Sequence, residues 1–328
     1  MRYAASFLIS LAVTTALGFV LIPLLRRLKA GQSIKRDGPI WHLSKEGTPT
    51  MGGIMFIVGI LAAVLLCSLP DFRRGDYSAL ALFAFALVQG AIGVLDDVEK
   101  IRRKGNQGLK GTQKFLLQLV VAVAFVMLLR YVGYLSPNLY VPFLEVTLPL
   151  PEVVYFVFAA FVIVGTVNSV NLTDGVDGLV SGVTLPVALC LMALAIRWNM
   201  PGQALFAAAL AAGLVGFLFF NFNPAKVFMG DTGSLFLGGA VCALAFSMDM
   251  PLVLIPLGVI YIAETLSDIL QVGYFKLSGG KRLFKMAPIH HHFEKCGWKE
   301  KKVFAVFSGI SLFFALVTWL GIRGRYGM

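Results

Sequence analysis

The amino-acid sequence predicts an all-α polytopic membrane protein from its composition, its apolar stretches and its charge distribution. Hydrophobic residues make up 58% of the 328 residues and charged residues 14%, whereas soluble globular domains are about half apolar and about a quarter charged. The apolar residues form stretches of about 20, the length with which a helix crosses a bilayer. Because these stretches fill the chain, we expect a single integral membrane domain over residues 1–328.

The apolar stretches predict about ten transmembrane helices, since each crossing needs about 20 residues. In chain order they lie near residues 4–25, 51–70, 78–96, 113–134, 152–170, 177–196, 203–221, 232–248, 251–275 and 303–322. The first stretch is long enough to span and lacks the small-residue exit of a cleavable signal, so we predict that it stays as a helix. Residues 135–151, SPNLYVPFLEVTLPLPE, place β-branched and aromatic residues between prolines, which predicts a small β-hairpin at the outer surface.

Positive charge is distributed unevenly between the two sides of the predicted bundle. The net charge of +11 would suggest nucleic-acid binding in a soluble protein. However, 21 of the 28 Lys and Arg residues lie in the links that follow odd-numbered helices. Cytoplasmic loops of membrane proteins collect such residues, so these links are predicted to be cytoplasmic and both termini outside. The charge therefore requires no nucleic-acid partner.

The most conspicuous polar motif is GVLDDVEK, residues 93–100, at the predicted end of the third helix. Asp96 and Asp97 are adjacent there, and Lys100 follows one turn later. A helix C-terminus disfavours carboxylates, and adjacent acids raise each other's pKa unless a cation neutralises them. An interfacial charge cluster is the plain interpretation, but a divalent-metal or phosphate site explains two adjacent acids better.

A second motif is NSVNLTDGVDGL, residues 168–179, in which Asn171, Asp174 and Asp177 recur at three-residue spacing. A tight turn followed by a helix N-cap accounts for one of these polar residues. Free backbone N–H groups at the start of the next helix would also suit an anionic or nucleotide ligand.

A third motif is NFNPAKVFMGDTGSLFLGG, residues 221–239, in which Asp231 precedes a glycine-rich apolar span. Capping of that helix is the simplest role for Asp231. It leaves the nearby Asn221, Asn223 and Lys226 unexplained. Because a capping carboxylate retains lone pairs, Asp231 is predicted to serve as a metal ligand as well.

A fourth motif is KRLFKMAPIHHHF, residues 281–293, which holds three of the four histidines of the chain in a row, His290, His291 and His292. A solvated loop is one interpretation. Consecutive histidines are poorly placed to converge on one ion, and three basic residues accompany them, so hydrogen bonding to phosphate is favoured over metal ligation.

Two further polar features accompany these motifs. The stretch RDGPIWHLSKEGTPTMGG, residues 36–53, pairs His42 and Lys45 with a Thr- and Gly-rich entry into the second helix. Glu264 and Asp268 share one face of the ninth helix. Acids inside membrane spans rarely face lipid, so this pair is predicted to line a cleft or to contact lysines of neighbouring loops.

The five motifs are predicted to open on the cytoplasmic face, which gives a cleft lined by acids, lysines and histidines, whereas no chemistry is assigned to Glu264 and Asp268. Enzymes of phosphoryl transfer use carboxylates, Mg²⁺ and lysines. A site at the bilayer boundary implies that one substrate is a lipid and the other is soluble. A cation-coupled transporter would place polar groups near the midplane, and a phosphate-binding scaffold leaves the paired aspartates unexplained. The four cysteines form no CxxC pair, so we expect neither a zinc site nor a disulfide framework.

Five stretches together resemble the phospho-N-acetylmuramoyl-pentapeptide transferases (MraY), which belong to the polyprenyl-phosphate N-acetylhexosamine-1-phosphate transferases. They read DDVEK, NLTDGVDGL, FMGDTGSL, APIHHHFE and DGPIWHLSKEGTPTMGG. The resemblance covers nearly the whole chain. It implies transfer from UDP-MurNAc-pentapeptide to undecaprenyl phosphate, giving lipid I and UMP, with Mg²⁺ as cofactor. It also implies a ten-helix homodimer in the bacterial inner membrane. A sister enzyme that uses a peptide-free UDP-sugar is the alternative.

The resemblance also implies roles for individual residues. The implied catalytic residues are Asp96, Asp97, the Mg²⁺ ligand Asp231, and His290, His291 and His292 as a polar wall. The implied substrate-binding residues are Lys45, Thr50, Lys100, Lys114, Asn171, Asp174, Asp177, Asn221 and Phe228, the last by stacking on uracil.

Overall fold

The computed structural model describes residues 1–28, 45, 47–103, 105 and 107–326; the predicted contribution of His42 lies outside them. The helices of these residues are α1 (Arg2–Arg27), α2 (Gly53–Cys67), α3 (Leu69–Phe72), α4 (Ser78–Arg102), α5 (Gly111–Tyr131), α6 (Glu152–Thr173), α7 (Leu179–Arg197), α8 (Pro201–Asn221), α9 (Gly230–Ser247), α10 (Leu254–Leu257), α11 (Val259–Leu277), α12 (Ile289–Lys295) and α13 (Glu300–Ile322). The strands are β1 (Asn138–Val141) and β2 (Val146–Pro149).

The predicted fold class is confirmed. Among the described residues, eight helices are long and apolar enough to cross a membrane, and a ninth crossing can be formed by the pair Pro251–Leu257 and Val259–Leu277, which is bent by 81°. The second predicted span, 51–70, corresponds to the apolar helix α2, which has 15 residues and is shorter than these eight. The ninth span was predicted as continuous, but Pro251 and Pro256 lack the N–H donors that continue a helix, and Gly258 separates the two segments.

The predicted hairpin is also confirmed, within residues 135–151. Strands β1 and β2 pair antiparallel, with Asn138 opposite Pro149 and Val141 opposite Val146.

Helix α4 is longer than predicted. The third span was placed at residues 78–96, but α4 continues to Arg102. Asp96 and Asp97 therefore lie inside the helix and are buried, not at its end. The continuation is stabilised because Lys100 and Arg102 occupy the last turn, where the helix dipole favours cations.

Helix α9 occupies the centre of the bundle. Its most apolar segment is 89% buried, against 28% for the corresponding segments of α1, α5 and α13. Two glycines let neighbouring helices touch its first turn: a Cβ on Gly93 of α4 would lie 2.1 Å from the Asp231 carbonyl oxygen, and one on Gly53 of α2 would lie 2.3 Å from the Cα of Gly233. Close backbone approach at small residues is how membrane helices pack tightly, and this packing fixes the position of Asp231.

Contacts sort the links between helices into two ends of the bundle. At one end, Lys114 reaches Asp231, and Lys45 reaches Glu300. At the other end, Arg2 pairs with Asp71. There Ser136, just before β1, donates hydrogen bonds to the carboxylate of Asp249, which follows α9. The motifs singled out in the sequence therefore meet at the first end.

Candidate active site

Three carboxylates meet at the first turn of α9. Asp96 and Asp97 come from α4 and Asp231 from α9, and each offers an oxygen that lies within 4.8 Å of the other two. Asp96 and Asp97 are 3% and 2% exposed, whereas the side chain of Asp231 is 15% exposed. Asp231 is therefore the acid of the three that a ligand reaches most readily.

Two lysines neutralise most of this charge. The Nζ atom of Lys100 lies 2.7 Å from Oδ2 of Asp96, 3.1 Å from Oδ1 of Asp231 and 3.9 Å from Oδ1 of Asp97. The Nζ atom of Lys114 lies 2.6 Å from Oδ2 of Asp231. Because three carboxylates face two ammonium groups, the cluster formed by these residues keeps a formal negative charge, which favours an additional cation.

The two adjacent aspartates have different partners. Oδ1 of Asp97 accepts a hydrogen bond from the Asp231 N–H at 3.1 Å, and Oδ2 accepts from the Thr232 N–H at 2.9 Å and the Thr232 hydroxyl at 2.7 Å. These backbone donors belong to the first turn of α9, which lacks acceptors within its own helix. Asp97 therefore caps α9 from the neighbouring helix. The prediction that Asp231 itself caps α9 is wrong, because Asp231 lies inside the helix and its carboxylate faces the lysines.

Asp96 is held from the opposite direction. Its Oδ1 atom accepts a hydrogen bond from the Leu109 N–H at 2.9 Å. The chain at Gly108 passes so close that a Cβ there would lie 2.4 Å from the same oxygen. The link between α4 and α5 thus folds back over Asp96, and a side chain at position 108 would collide with it.

The end of α6 supplies a further wall of the site. Nδ2 of Asn171 donates to Oδ1 of Asp231 at 3.1 Å and to Oγ of Ser234 at 2.7 Å. Asp174 follows directly after α6. Burial raises the pKa of Asp174 well above its ordinary value, and the negative charges of Asp231 and Asp97 raise it further.

A second group of charges, which we call the Asp177 cluster, comprises Lys45, Asp177, Asn223 and Glu300. Nζ of Lys45 lies 2.7 Å from both Oδ1 of Asp177 and Oε2 of Glu300. Nδ2 of Asn223 donates to Oδ2 of Asp177 and Oε2 of Glu300, each at 3.1 Å. Beside it opens a cavity of about 610 Å³, lined by Asn223, Glu294, Gly297, Trp298, Lys299, Glu300 and Lys301. This volume is within the range of small-molecule sites.

Three predicted substrate-binding residues hold the segments around the site together. Asn221 is 1% exposed; its Oδ1 accepts from the Gly178 N–H at 3.1 Å and its Nδ2 donates to the Val227 carbonyl at 2.9 Å. The half-buried Phe228 accepts a backbone hydrogen bond from Gly52 at 2.8 Å. Thr50 is buried beside Gly230, where a Cβ would lie 2.7 Å from its Oγ1. Both polar ends of the Asn221 amide are therefore used within the protein.

The three consecutive histidines take three different partners. Nδ1 of His290 lies 2.9 Å from Oε2 of Glu264, and Nδ1 of His291 lies 2.7 Å from Oε2 of Glu294. Nδ1 of His292 accepts a hydrogen bond from the Lys285 N–H at 3.1 Å. Of the two alternatives predicted for Glu264, no contact with a lysine is found among the described residues, because α12 packs His290 against the buried face of α11 instead; the lining of a cleft stays a prediction.

Comparison with known proteins agrees with this geometry. Residues 79–249 match the model of glycosyl transferase family 4, and residues 45–57 match phospho-N-acetylmuramoyl-pentapeptide-transferase signature 1. A phospho-N-acetylmuramoyl-pentapeptide-transferase of Clostridium acetobutylicum is 44% identical over 97% of this chain and 98% of its own. The chain belongs to this transferase family. Relatives of the same name from Heliobacterium modesticaldum and Desulforamulus reducens are each 46% identical, over 95% and 96% of this chain and 95% and 94% of their own.

Two polar residues of the candidate site were missed in the sequence. Thr232 contributes two of the three donors to Asp97, and Glu300 joins Lys45 to Asn223. In the sequence, Glu300 is recognisable only as an acid in the first turn of α13. That position predicts a favourable interaction with the helix dipole and nothing about a binding site. Their partners lie in distant segments of the chain, so spacing does not reveal them.

Proposed function

We propose that this transferase moves phospho-MurNAc-pentapeptide from UDP-MurNAc-pentapeptide to undecaprenyl phosphate, giving lipid I and UMP, the first membrane step of peptidoglycan synthesis. The supporting observation is the cluster of Asp96, Asp97 and Asp231 with Lys100 and Lys114, buried at the end of a bundle of apolar helices. The relatives are named as transferases of the phospho-N-acetylmuramoyl-pentapeptide group. Phosphoryl transfer depends mainly on positioning and on charge neutralisation, and this cluster is equipped for both.

We further propose that Mg²⁺ is the cofactor. Oxygen ligands suit this hard cation, and the three carboxylates offer oxygens within 4.8 Å of one another. Asp231 would hold the ion, with Asp96 beside it, since each has an oxygen that faces a lysine side chain able to turn away. The oxygens of Asp97 accept from the first turn of α9, which cannot turn away. When bound, Mg²⁺ neutralises developing negative charge on phosphate oxygens.

The chemistry that we propose is a direct displacement. The lipid phosphate has a second pKa near 6, so about nine-tenths of it is already dianionic at pH 7 and little proton remains for a base to remove. One of its oxygens forms a bond to the phosphorus that carries the sugar, and the bond from that phosphorus to the oxygen shared with UMP breaks. Lys100 and Lys114 bind the phosphates, and Asp96 orients them without forming a covalent bond.

The same proposal includes orientation in the membrane. Most of the Lys and Arg residues lie in links at the site end of the bundle, so this end faces the cytoplasm under the positive-inside rule. There the soluble nucleotide donor reaches the Asp177 cluster, while the lipid acceptor stays in the bilayer. The homodimer remains a prediction from the resemblance.

Release of UMP by purified protein tests the function. We expect release that requires undecaprenyl phosphate, Mg²⁺ and the peptide-bearing UDP-sugar. Asp231→Ala should lower release to background, and added Mg²⁺ should not restore it. Efficient release from a peptide-free UDP-N-acetylhexosamine would favour the sister enzyme. Incubation with labelled donor and no lipid tests the displacement, because a labelled phospho-sugar trapped on the protein would exclude it in favour of an aspartyl-phosphate intermediate.

A further inference from the structure

Glu264 is an acid on the buried face of a helix that otherwise presents apolar residues to the membrane. It is 0% exposed and lies in the second turn of α11, one turn after the buried Ile260 and Tyr261. An acid at such a position is costly unless it is paired, and it then marks a functional contact. Its partner is His290, which is 1% exposed.

The contact fixes both the backbone and the ring of His290. Oε2 of Glu264 lies 2.9 Å from Nδ1 of the ring and 3.4 Å from the backbone nitrogen of His290. Because two donors from one residue converge on one oxygen, the ring has a single orientation relative to α11. The neighbouring His291 differs, since its acid, Glu294, lies in the same short helix.

The other edge of the ring faces the NLTDGVDGL turn. Nε2 of His290 is buried and has no hydrogen-bond partner among the described residues. A Cβ on Gly175 would lie 2.2 Å from this atom, so the absence of a side chain at position 175 allows the ring to approach. Gly175 lies between Asp174 and Asp177, which both belong to the candidate site.

We propose that Glu264 is a positioning residue, which holds His290 so that Nε2 is directed at the Gly175 turn and is available to a substrate phosphate or hydroxyl there. Histidine with one ring nitrogen anchored to a carboxylate presents the other in a fixed direction. This inference rests on the proposed transferase function for its kinetic test, whereas the orientation of the ring is testable without any substrate.

The kinetic test uses two substitutions at position 264. In Glu264→Gln the amide oxygen is expected at the Oε2 position, because the backbone N–H of His290 requires an acceptor there, so the ring stays anchored and kcat remains within about threefold of wild type. Glu264→Leu has similar volume and no acceptor, and kcat should fall by about 10- to 100-fold while the KM for the UDP-sugar changes little. Glu152→Gln, the same change at an exposed acid that pairs with Arg130 at the end of α6 remote from the candidate site, is the matched control and should leave kcat unchanged.

The substrate-free test is ¹⁵N NMR of histidine-labelled protein. The chain has four histidines, so the His290 signal is assigned by its loss in His290→Gln. We expect a protonated, anchored Nδ1 in wild type and Glu264→Gln, and an averaged ring signal in Glu264→Leu. This result stands even if UMP release shows that the proposed reaction is wrong.

Gly175→Ala provides an independent variant in case Glu264→Leu does not fold. Its methyl group should displace the ring, lower kcat and alter the Nδ1 signal as Glu264→Leu does. The proposal is overturned if both variants keep the wild-type His290 signal and kcat, or if Glu264→Gln loses as much activity as Glu264→Leu.

Discussion

Replacing Asp97 by asparagine should destabilise the protein more than replacing Asp96, although the two residues are adjacent on α4. Three donors of α9 converge on Asp97, two of them on Oδ2. The asparagine oxygen is therefore expected to remain on the Thr232 side, which turns the NH₂ group towards the Asp231 N–H. One charge-assisted hydrogen bond, typically about 1.5–3 kcal/mol, is lost, together with a charge at a helix N-terminus, about 0.3–1 kcal/mol.

The lower end of their sum, about 2 kcal/mol, is the expected loss, because contributions of neighbouring groups are not additive. For chains of 150–250 residues, 1 kcal/mol shifts the midpoint of thermal unfolding by about 2–4 °C, so we expect about 4 °C for this chain. In Asp96→Asn the amide oxygen still accepts from the Leu109 N–H. Its NH₂ group then faces the Lys100 ammonium at the former Oδ2 position, but Lys100 can turn away from it and keep Asp231, 3.1 Å away. The cost there should stay below about 1 kcal/mol, because Lys100 is 31% exposed and its ion pairs are partly screened.

Activity should show a different order from stability. Asp96→Asn is expected to lower kcat by at least about 100-fold, as when a preorganised electrostatic contact in an active site is removed, with little change in the unfolding midpoint. Both midpoints are measured by thermal unfolding in detergent, with UMP release on the same preparations. Equal midpoints for the two variants, or a lower midpoint for Asp96→Asn, would refute the conclusion that Asp97 caps α9.

Three further predictions concern other parts of the site. Glu300→Gln removes one of the two carboxylates that face Lys45, so the KM for the UDP-sugar should rise by about tenfold, roughly the value of one charged contact; steady-state kinetics check this, and an unchanged KM would exclude the Asp177 cluster from donor binding. Asp174→Asn should raise the unfolding midpoint at pH 7: the folded-state pKa is raised, so ionisation lowers stability as pH climbs above the unfolded pKa of about 3.9, and the amide removes that loss. Equal midpoints of Asp174→Asn and wild type at pH 7 would contradict this. Gly108→Ala should abolish activity without unfolding the protein, because its Cβ would lie 2.4 Å from Asp96. UMP release measures the activity and circular dichroism the folding; a fully active variant would show that the link between α4 and α5 can move aside without displacing Asp96.

Hydropathy predicts much of this fold because a helix that crosses a membrane must be long and apolar, as α6 and α8 are. The uneven distribution of Lys and Arg predicts which links between helices lie at the same end of the bundle. It does not predict where a helix ends beyond the membrane: α4 runs to Arg102 since Lys100 and Arg102 favour its last turn. Polar motifs predict which segments form the site, but not which donor meets which acceptor. The pairing of Lys45 with Glu300 joins residues 255 positions apart, and no local pattern carries that information.

The adjacency of Asp96 and Asp97 has a geometric explanation. Successive side chains of an α-helix point about 100° apart, so two neighbouring acids on α4 face two different elements. Asp97 turns towards the first turn of α9 and holds its backbone N–H groups, whereas Asp96 turns towards Lys100 and the link at Leu109. Because Asp97 binds the N–H of Asp231 itself, any shift of Asp97 moves the proposed metal ligand. One acid therefore positions Asp231 while its neighbour holds Lys100 and the link at Leu109, and a chain with either acid alone would lack one of these two sets of contacts.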